Sequence, residues 1–235
     1  MDVKARPFRS GHRLGDVLTT LLRYYGRPLP PISADPFQLI LWEQVAYLVP
    51  DARRHAAFET LREQVGLTPV AILAAPIARL RAITRQGGAI APSDRAASMH
   101  KSAELVIARF DGDLANALDL PLAKARKALA KFPMIGEPGA DKILAFTRTV
   151  RVLPLDSNAL RVVQRLGFVA EAKDYRASYR QARSALAAEL PKGYPRLIAA
   201  AQILRRHGQE LCRRSAPDCE RCPLRSGCPF GRRIA

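Results

Sequence analysis

The sequence has no apolar run long enough to cross a bilayer. Its longest runs, Phe37–Val49 and Val70–Leu80, fall well short of the ~20 residues a spanning helix needs, and the first contains Glu43. The segment Met1–Arg13 is polar and basic and lacks the apolar centre of an export signal, so no leader and no membrane association are expected. Cysteine is missing until Cys212, and all four cysteines then fall within the last 24 residues. In the reducing compartment expected for a chain with no export signal they are poor disulfide candidates, and the four thiols act as one group. Acidic residues are scarce, 21 against 38 lysines and arginines, which leaves a net charge of +17 and a pI of about 10.6. An excess of that size points to a polyanionic partner. Aromatic residues make up only 6%, and no pair of alternating segments reads as a β-hairpin.

What is present is helical periodicity over 235 residues, enough for one or two domains with their own cores. Leu14–Tyr25 is apolar at helical spacing and stops at Gly26. The prolines Pro28, Pro30 and Pro31 then make a stiff linker. Asp35-Pro36 reads as an N-cap followed by a first-turn proline, opening a nearly all-apolar helix over 37–49. Further helices are expected over 53–65, 69–75, 76–86, 96–110, 121–131, from the turn at 132–139 to about 149, and over 157–166, 175–190 and 197–211. Gly87-Gly88 is a break, and 151–155 reads as extended.

The cysteines are spaced C-x6-C-x2-C-x5-C over Cys212, Cys219, Cys222 and Cys228. Four thiolates on one loop can hold zinc or an iron–sulfur cluster. A structural zinc site usually pairs two C-x2-C knuckles across a longer gap, and here only one is present, which favours a cubane. The run His207-Gly208-Gln209-Glu210-Leu211-Cys212 with the three following cysteines resembles the C-terminal cluster loop of the endonuclease III-like helix-hairpin-helix DNA glycosylase family. The resemblance implies a structural [4Fe-4S] cluster whose loop offers Arg213, Arg214 and Arg221 to DNA phosphates.

Phe132–Asp141, Phe-Pro-Met-Ile-Gly-Glu-Pro-Gly-Ala-Asp, resembles the hairpin of the same family. A tight turn between two helices aims backbone N–H groups at a phosphate. Gly136, Gly139 and the preceding Lys131 are its expected DNA contacts. Family hairpins usually carry glycine where Met134 stands. Where bifunctional members carry the lysine that attacks the sugar, this chain has Pro138, and Lys142 lies one turn further on. The resemblance therefore implies a monofunctional enzyme that uses water.

Asp156, in Leu155-Asp156-Ser157-Asn158-Ala159-Leu160-Arg161-Val162, resembles the segment carrying the family's catalytic aspartate. By itself it reads as an N-cap, and the two roles are compatible. Glu43 stands seven residues after Pro36, as does a proton-donating glutamate in adenine-excising relatives. A carboxyl buried in an apolar helix would keep its proton, although Glu43 also fits a narrow wet stripe with Gln38 and Gln44. Tyr47 occupies the position of a glutamine that fills the gap left by a flipped base in those relatives, and reads equally as core.

The resemblance spans about 35–228 and implies an all-α, two-domain helix-hairpin-helix glycosylase architecture. A six-helix barrel is expected over 36–149, with an iron–sulfur cluster helical domain from 1–35 and 150–235. The implied activity is hydrolysis of the N-glycosidic bond of a damaged or mismatched base in duplex DNA, uracil or thymine opposite guanine being favoured, by a cytoplasmic, nucleoid-associated monomer.

Overall fold

The structure is a computed structural model and describes residues 13–233. The expectation of no export signal in Met1–Arg13 concerns residues that, Arg13 aside, lie outside the described ones. Among the described residues the secondary structure is entirely helical, with eleven α-helices, short 3-10 turns and no strand. None of these helices is long and apolar enough to cross a membrane. The chain divides into two compact units: one runs to Pro30 and resumes at Val150, and the other is Pro31–Thr149.

The Pro31–Thr149 unit holds α2 (Pro36–Val45), α3 (Asp51–Gln64), α4 (Pro69–Ala74), α5 (Ile77–Gln86), α6 (Pro92–Phe110), α7 (Leu122–Leu129) and α8 (Glu137–Phe146). Helix α6 packs against α2, α4 and α5, and α8 against α2 and α7. Ile40, Leu41, Phe58, Leu61, Ile72, Leu80, Met99, Val106, Leu129 and Leu144 form its fully buried core. Each such aliphatic or aromatic side chain contributes about 1.5–3 kcal/mol through burial. Asp35 caps α2 by accepting from the Gln38 N–H at 2.8 Å, with Pro36 behind it, as the sequence predicts.

The largest departure from the sequence pattern is the end of α2. Apolar character continues to Val49, yet the helix stops at Val45. Leu48 takes a left-handed backbone with φ 51°, and the Tyr47 N–H donates to Gly87 O at 3.1 Å instead of continuing the helix. Periodicity records only apolarity, whereas the stop is made by long-range partners for the carbonyls. Arg54 Nη1 donates to Trp42 O at 2.6 Å, and Arg95 Nη1 to Val45 O at 2.7 Å. Helix α6 also begins earlier than expected, with Pro92 in its first turn.

The other unit holds α1 (Leu14–Tyr25), α9 (Ser157–Arg165), α10 (Tyr175–Ala185) and α11 (Tyr194–Glu210). Helix α11 packs against both α1 and α9. Leu14, Leu21, Val163, Leu197, Ile203 and Leu204 are fully buried there. Gly208 explains the closeness of α9 and α11: a Cβ at this position would lie 2.6 Å from Asn158 O, so only glycine lets the helices touch.

Candidate functional site

The hairpin is α7, the 130–136 turn and α8. Phe132–Ile135 closes as a tight turn, Ile135 N–H donating to Phe132 O at 3.0 Å. Pro133 is its second residue and Met134, at φ 66°, its third, a position that favours glycine. Met134 is about half exposed. The left-handed backbone costs a non-glycine residue about 1–2 kcal/mol. Met134→Gly is therefore expected to raise the melting temperature by a few degrees and to tighten binding to undamaged duplex, because it uncovers the turn. Thermal unfolding and a fluorescence titration check both.

Gly136 caps α8 with an ordinary φ of −88°, and a Cβ there would meet only Pro138 Cδ at 3.7 Å. The fold does not require glycine at this position, which leaves open space on the turn. At Gly139 a Cβ would press on Ile135 Cγ2 at 3.2 Å, so packing beneath the turn explains that glycine. Lys131 is exposed and, with Arg109, Phe110 and Phe132, lines a shallow cavity beside the hairpin. Arg126, in the same basic run, is committed to the fold through a 2.6 Å ion pair with the fully buried Asp141.

Glu43 differs from its expected environment. It is half-buried rather than enclosed, and its Oε1 lies 2.6 Å from Lys142 Nζ, joining α2 to α8. The Lys142 ammonium also sits 5.5 Å from the Phe146 ring. The contact places a carboxylate and an ammonium within direct proton-transfer distance of each other. A separation of 99 residues along the chain hid this partner from the sequence pattern. Tyr47 is not core: it is 45% exposed, and its neighbour Leu48 is 73% exposed.

Asp156 caps α9. Its Oδ1 accepts from the Asn158 and Ala159 N–H groups at 3.0 and 2.9 Å, and its Oδ2 pairs with Arg205 Nη1 at 2.9 Å. Both oxygens are thereby fixed in orientation. Arg205 was not singled out by sequence, although an arginine one turn after the buried Ala201 on a largely buried helix was a signal. Arg161 joins the same region to the cysteine loop: its guanidinium donates to Asn158 Oδ1 at 2.8 Å, Gly208 O at 2.7 Å and Cys212 O at 2.8 Å.

Cys212, Cys219, Cys222 and Cys228 line one cavity, walled by Val162, Leu166, Leu211, Leu224 and Phe230. Among the described residues no three His, Cys, Asp or Glu side chains close on a single ion. Four thiols lining one largely apolar cavity are a donor set that suits a cysteine-held metal group. Burial pushes the Cys212 and Cys219 thiols up and the Cys222 thiol up to about 11. A bound metal reverses that preference by ionising its ligands. Arg165 supports the loop: it donates to Cys212 Sγ at 3.4 Å and lies 4.1 Å from the Phe230 ring. Burial holds His207 down to about 4, so its ring is neutral. Its Nε2 lies 3.6 Å from Cys222 Sγ and its Nδ1 3.1 Å from the Tyr25 hydroxyl.

The loop arginines differ among themselves. Arg213 is exposed but tied to its own loop, donating to Ala216 O at 3.0 and 3.2 Å, and Arg221 pairs loosely with Asp218 at 3.4 Å. Arg214 is exposed.

No family model matches the chain. It is 27% identical over 175 residues to endonuclease III of Sulfolobus acidocaldarius, covering 74% of this chain and 73% of that one. It is 28% identical over 207 residues to the chloroplastic endonuclease III homolog 1 of Arabidopsis thaliana, covering 87% of this chain and 51% of that protein. Among solved structures it resembles a trapped covalent endonuclease III–DNA intermediate with a TM-score of 0.73, at 20% identity over 95% of this chain and 99% of that chain. It also resembles a thermostable thymine-DNA glycosylase, with a TM-score of 0.70 at 18% identity over 94% and 97% of the two chains. The fold is thus that of the helix-hairpin-helix glycosylases. In sequence and fold together, the chain is similar to endonuclease III and its relatives within that class.

Proposed function

We propose that this protein is a monofunctional DNA glycosylase of base excision repair that hydrolyses the N-glycosidic bond of a damaged or mismatched base, with uracil or thymine opposite guanine its favoured target. Two features, each within its own unit, carry this reading. Asp156 presents a carboxylate fixed by three donors at the start of α9. Pro138 stands in the first turn of α8, which by the resemblance is the position of the bifunctional members' nucleophilic lysine.

The chemistry divides among side chains. As the C1′–N bond breaks, its electrons leave with the base and positive charge develops on the sugar. The Asp156 carboxylate stabilises that charge and orients the water that attacks C1′. Glu43 and Lys142, paired at 2.6 Å, supply the proton for the departing base. Met134, Gly136 and Lys131 face the phosphates, and exposed Tyr47 and Leu48 fill the stack. The four cysteines would hold a [4Fe-4S] cluster that fastens the C-terminal loop. A mismatched base unstacks cheaply, which is why uracil or thymine opposite guanine is favoured. The likeness to a thymine-DNA glycosylase agrees with that choice.

A second reading draws on the 2.6 Å Lys142–Glu43 contact. A carboxylate so placed can accept the ammonium proton and free an amine for attack on C1′, which would make the enzyme a lyase.

Excision from duplexes that each carry one lesion, scored with and without hot alkali, tests both readings. Strand breaks that need alkali are expected, on G·U or G·T, with no borohydride-trapped adduct. Alkali-independent breaks, with an adduct lost in Lys142→Ala, would establish the lyase reading. No cleavage of any duplex would leave a lesion-binding protein without catalysis.

A further inference from the structure

Arg95 is the bulkiest fully buried side chain of the described residues, at 2% exposure. Its guanidinium is spread over backbone carbonyls. Nε donates to Ile90 O at 3.0 Å, Nη1 to Val45 O at 2.7 Å and Gly87 O at 3.4 Å, and Nη2 to Thr84 O and Gly88 O at 2.6 Å each. Val45 ends α2, and Thr84 lies in the last turn of α5. Helix C-termini carry partial negative charge, so two of them meeting at one point make a site for a buried cation.

These carbonyls frame two loops, one following each helix. Tyr47 and Leu48 stand two and three residues beyond Val45, and the Ile90 carbonyl is itself gripped. The loops are also locked to each other. Tyr47 N–H donates to Gly87 O, and Gly88, at φ 124°, packs so closely that a Cβ would lie 3.0 Å from both Tyr47 O and Val49 Cγ1. Outward from this clamp stand three large apolar side chains: Tyr47 at 45% exposure, Leu48 at 73% and Ile90 at 50%. Apolar side chains inserted between base steps pay for unstacking only if they do not yield, so their loops must be stiff.

We infer that Arg95 is a positioning residue that locks the two loops into a rigid apolar wedge of Tyr47, Leu48 and Ile90, and thereby sets how readily the protein opens a base step. The inference rests on the DNA glycosylase reading for its ligand.

Arg95→Lys keeps the charge, but one ammonium cannot span carbonyls that the planar fork reaches together. Gly88→Ala disturbs the same loops without touching the arginine. The probe is a duplex with a G·U mismatch and 2-aminopurine stacked beside it, compared with the matched duplex. Wild type should raise 2-aminopurine fluorescence on the mismatch. Arg95→Lys, folded as judged by thermal unfolding, should lose most of that rise and roughly tenfold of its preference for the mismatch. Its affinity for matched duplex should stay within about twofold, because phosphate contacts dominate that term. Excision of uracil from a single strand should be unchanged, because nothing there needs unstacking. An undiminished rise in Arg95→Lys, or equal losses on matched and mismatched duplex, overturns the inference. If Arg95→Lys does not fold, Gly88→Ala decides by the same two outcomes. Wild type that unstacks the probe but excises nothing would sink the glycosylase reading and leave the wedge standing. Wild type that leaves the probe stacked would sink the wedge.

Discussion

Asp156→Asn is expected to lower single-turnover excision by about a thousandfold or more while duplex affinity stays near wild type. Asparagine is as good a helix cap as aspartate, and its carbonyl can still accept from the Asn158 and Ala159 N–H groups, so α9 should keep its start. What disappears is the negative charge that would face the sugar in the transition state. Arg205 loses its anionic partner at the same time, a half-buried contact whose removal costs about 1–2 kcal/mol. The melting temperature should therefore fall by a few degrees rather than collapse. Excision assays at saturating protein, with binding measured on matched duplex, separate the two effects. Wild-type turnover in the variant would leave Asp156 with helix capping as its only task. Asp156→Ala is the companion: it should lose the same activity and more stability, since the cap goes as well.

The second large effect concerns the cysteine loop. Replacing Cys222 with serine is expected to abolish iron binding and to destabilise the unit made of α1 and α9–α11, because a structural metal group contributes folding free energy directly. Cys222 sits beside His207, which in turn touches Tyr25, so losing that corner loosens the tie between the loop and α1. Limited proteolysis should then cut within 150–233 while 31–149 persists. Metal analysis of the wild-type protein should return about four iron ions per chain. Zinc at one per chain instead would overturn the cluster assignment. Iron retained in Cys222→Ser would remove that residue from the ligand set.

Most of the helical architecture was legible from periodicity and caps. Leu14–Tyr25 was bounded by its apolar spacing and Gly26, and α2 opened where Asp35-Pro36 announced it. The helix ends were less legible. Val45 ends α2 because Arg95 and the Gly87 carbonyl capture its last groups, and those partners lie some forty to fifty residues away. The same limit applied to Glu43. The sequence showed an acid in apolar surroundings, and only packing of α2 on α8 brought Lys142 to it.

By itself, the sequence determined that the chain is helical and basic, that its four cysteines fall in one short run, that a proline stands at 138 in the hairpin, and that Asp156 begins a helix. Each of these is a local property, set by residue type and spacing along the chain. Only the tertiary structure decided which charges meet: Arg205 with Asp156, Lys142 with Glu43, Arg126 with Asp141, and Arg95 with the ends of two helices. Such pairings depend on which helix faces touch, and that follows from burying the apolar faces of all the helices at once, not from any one segment.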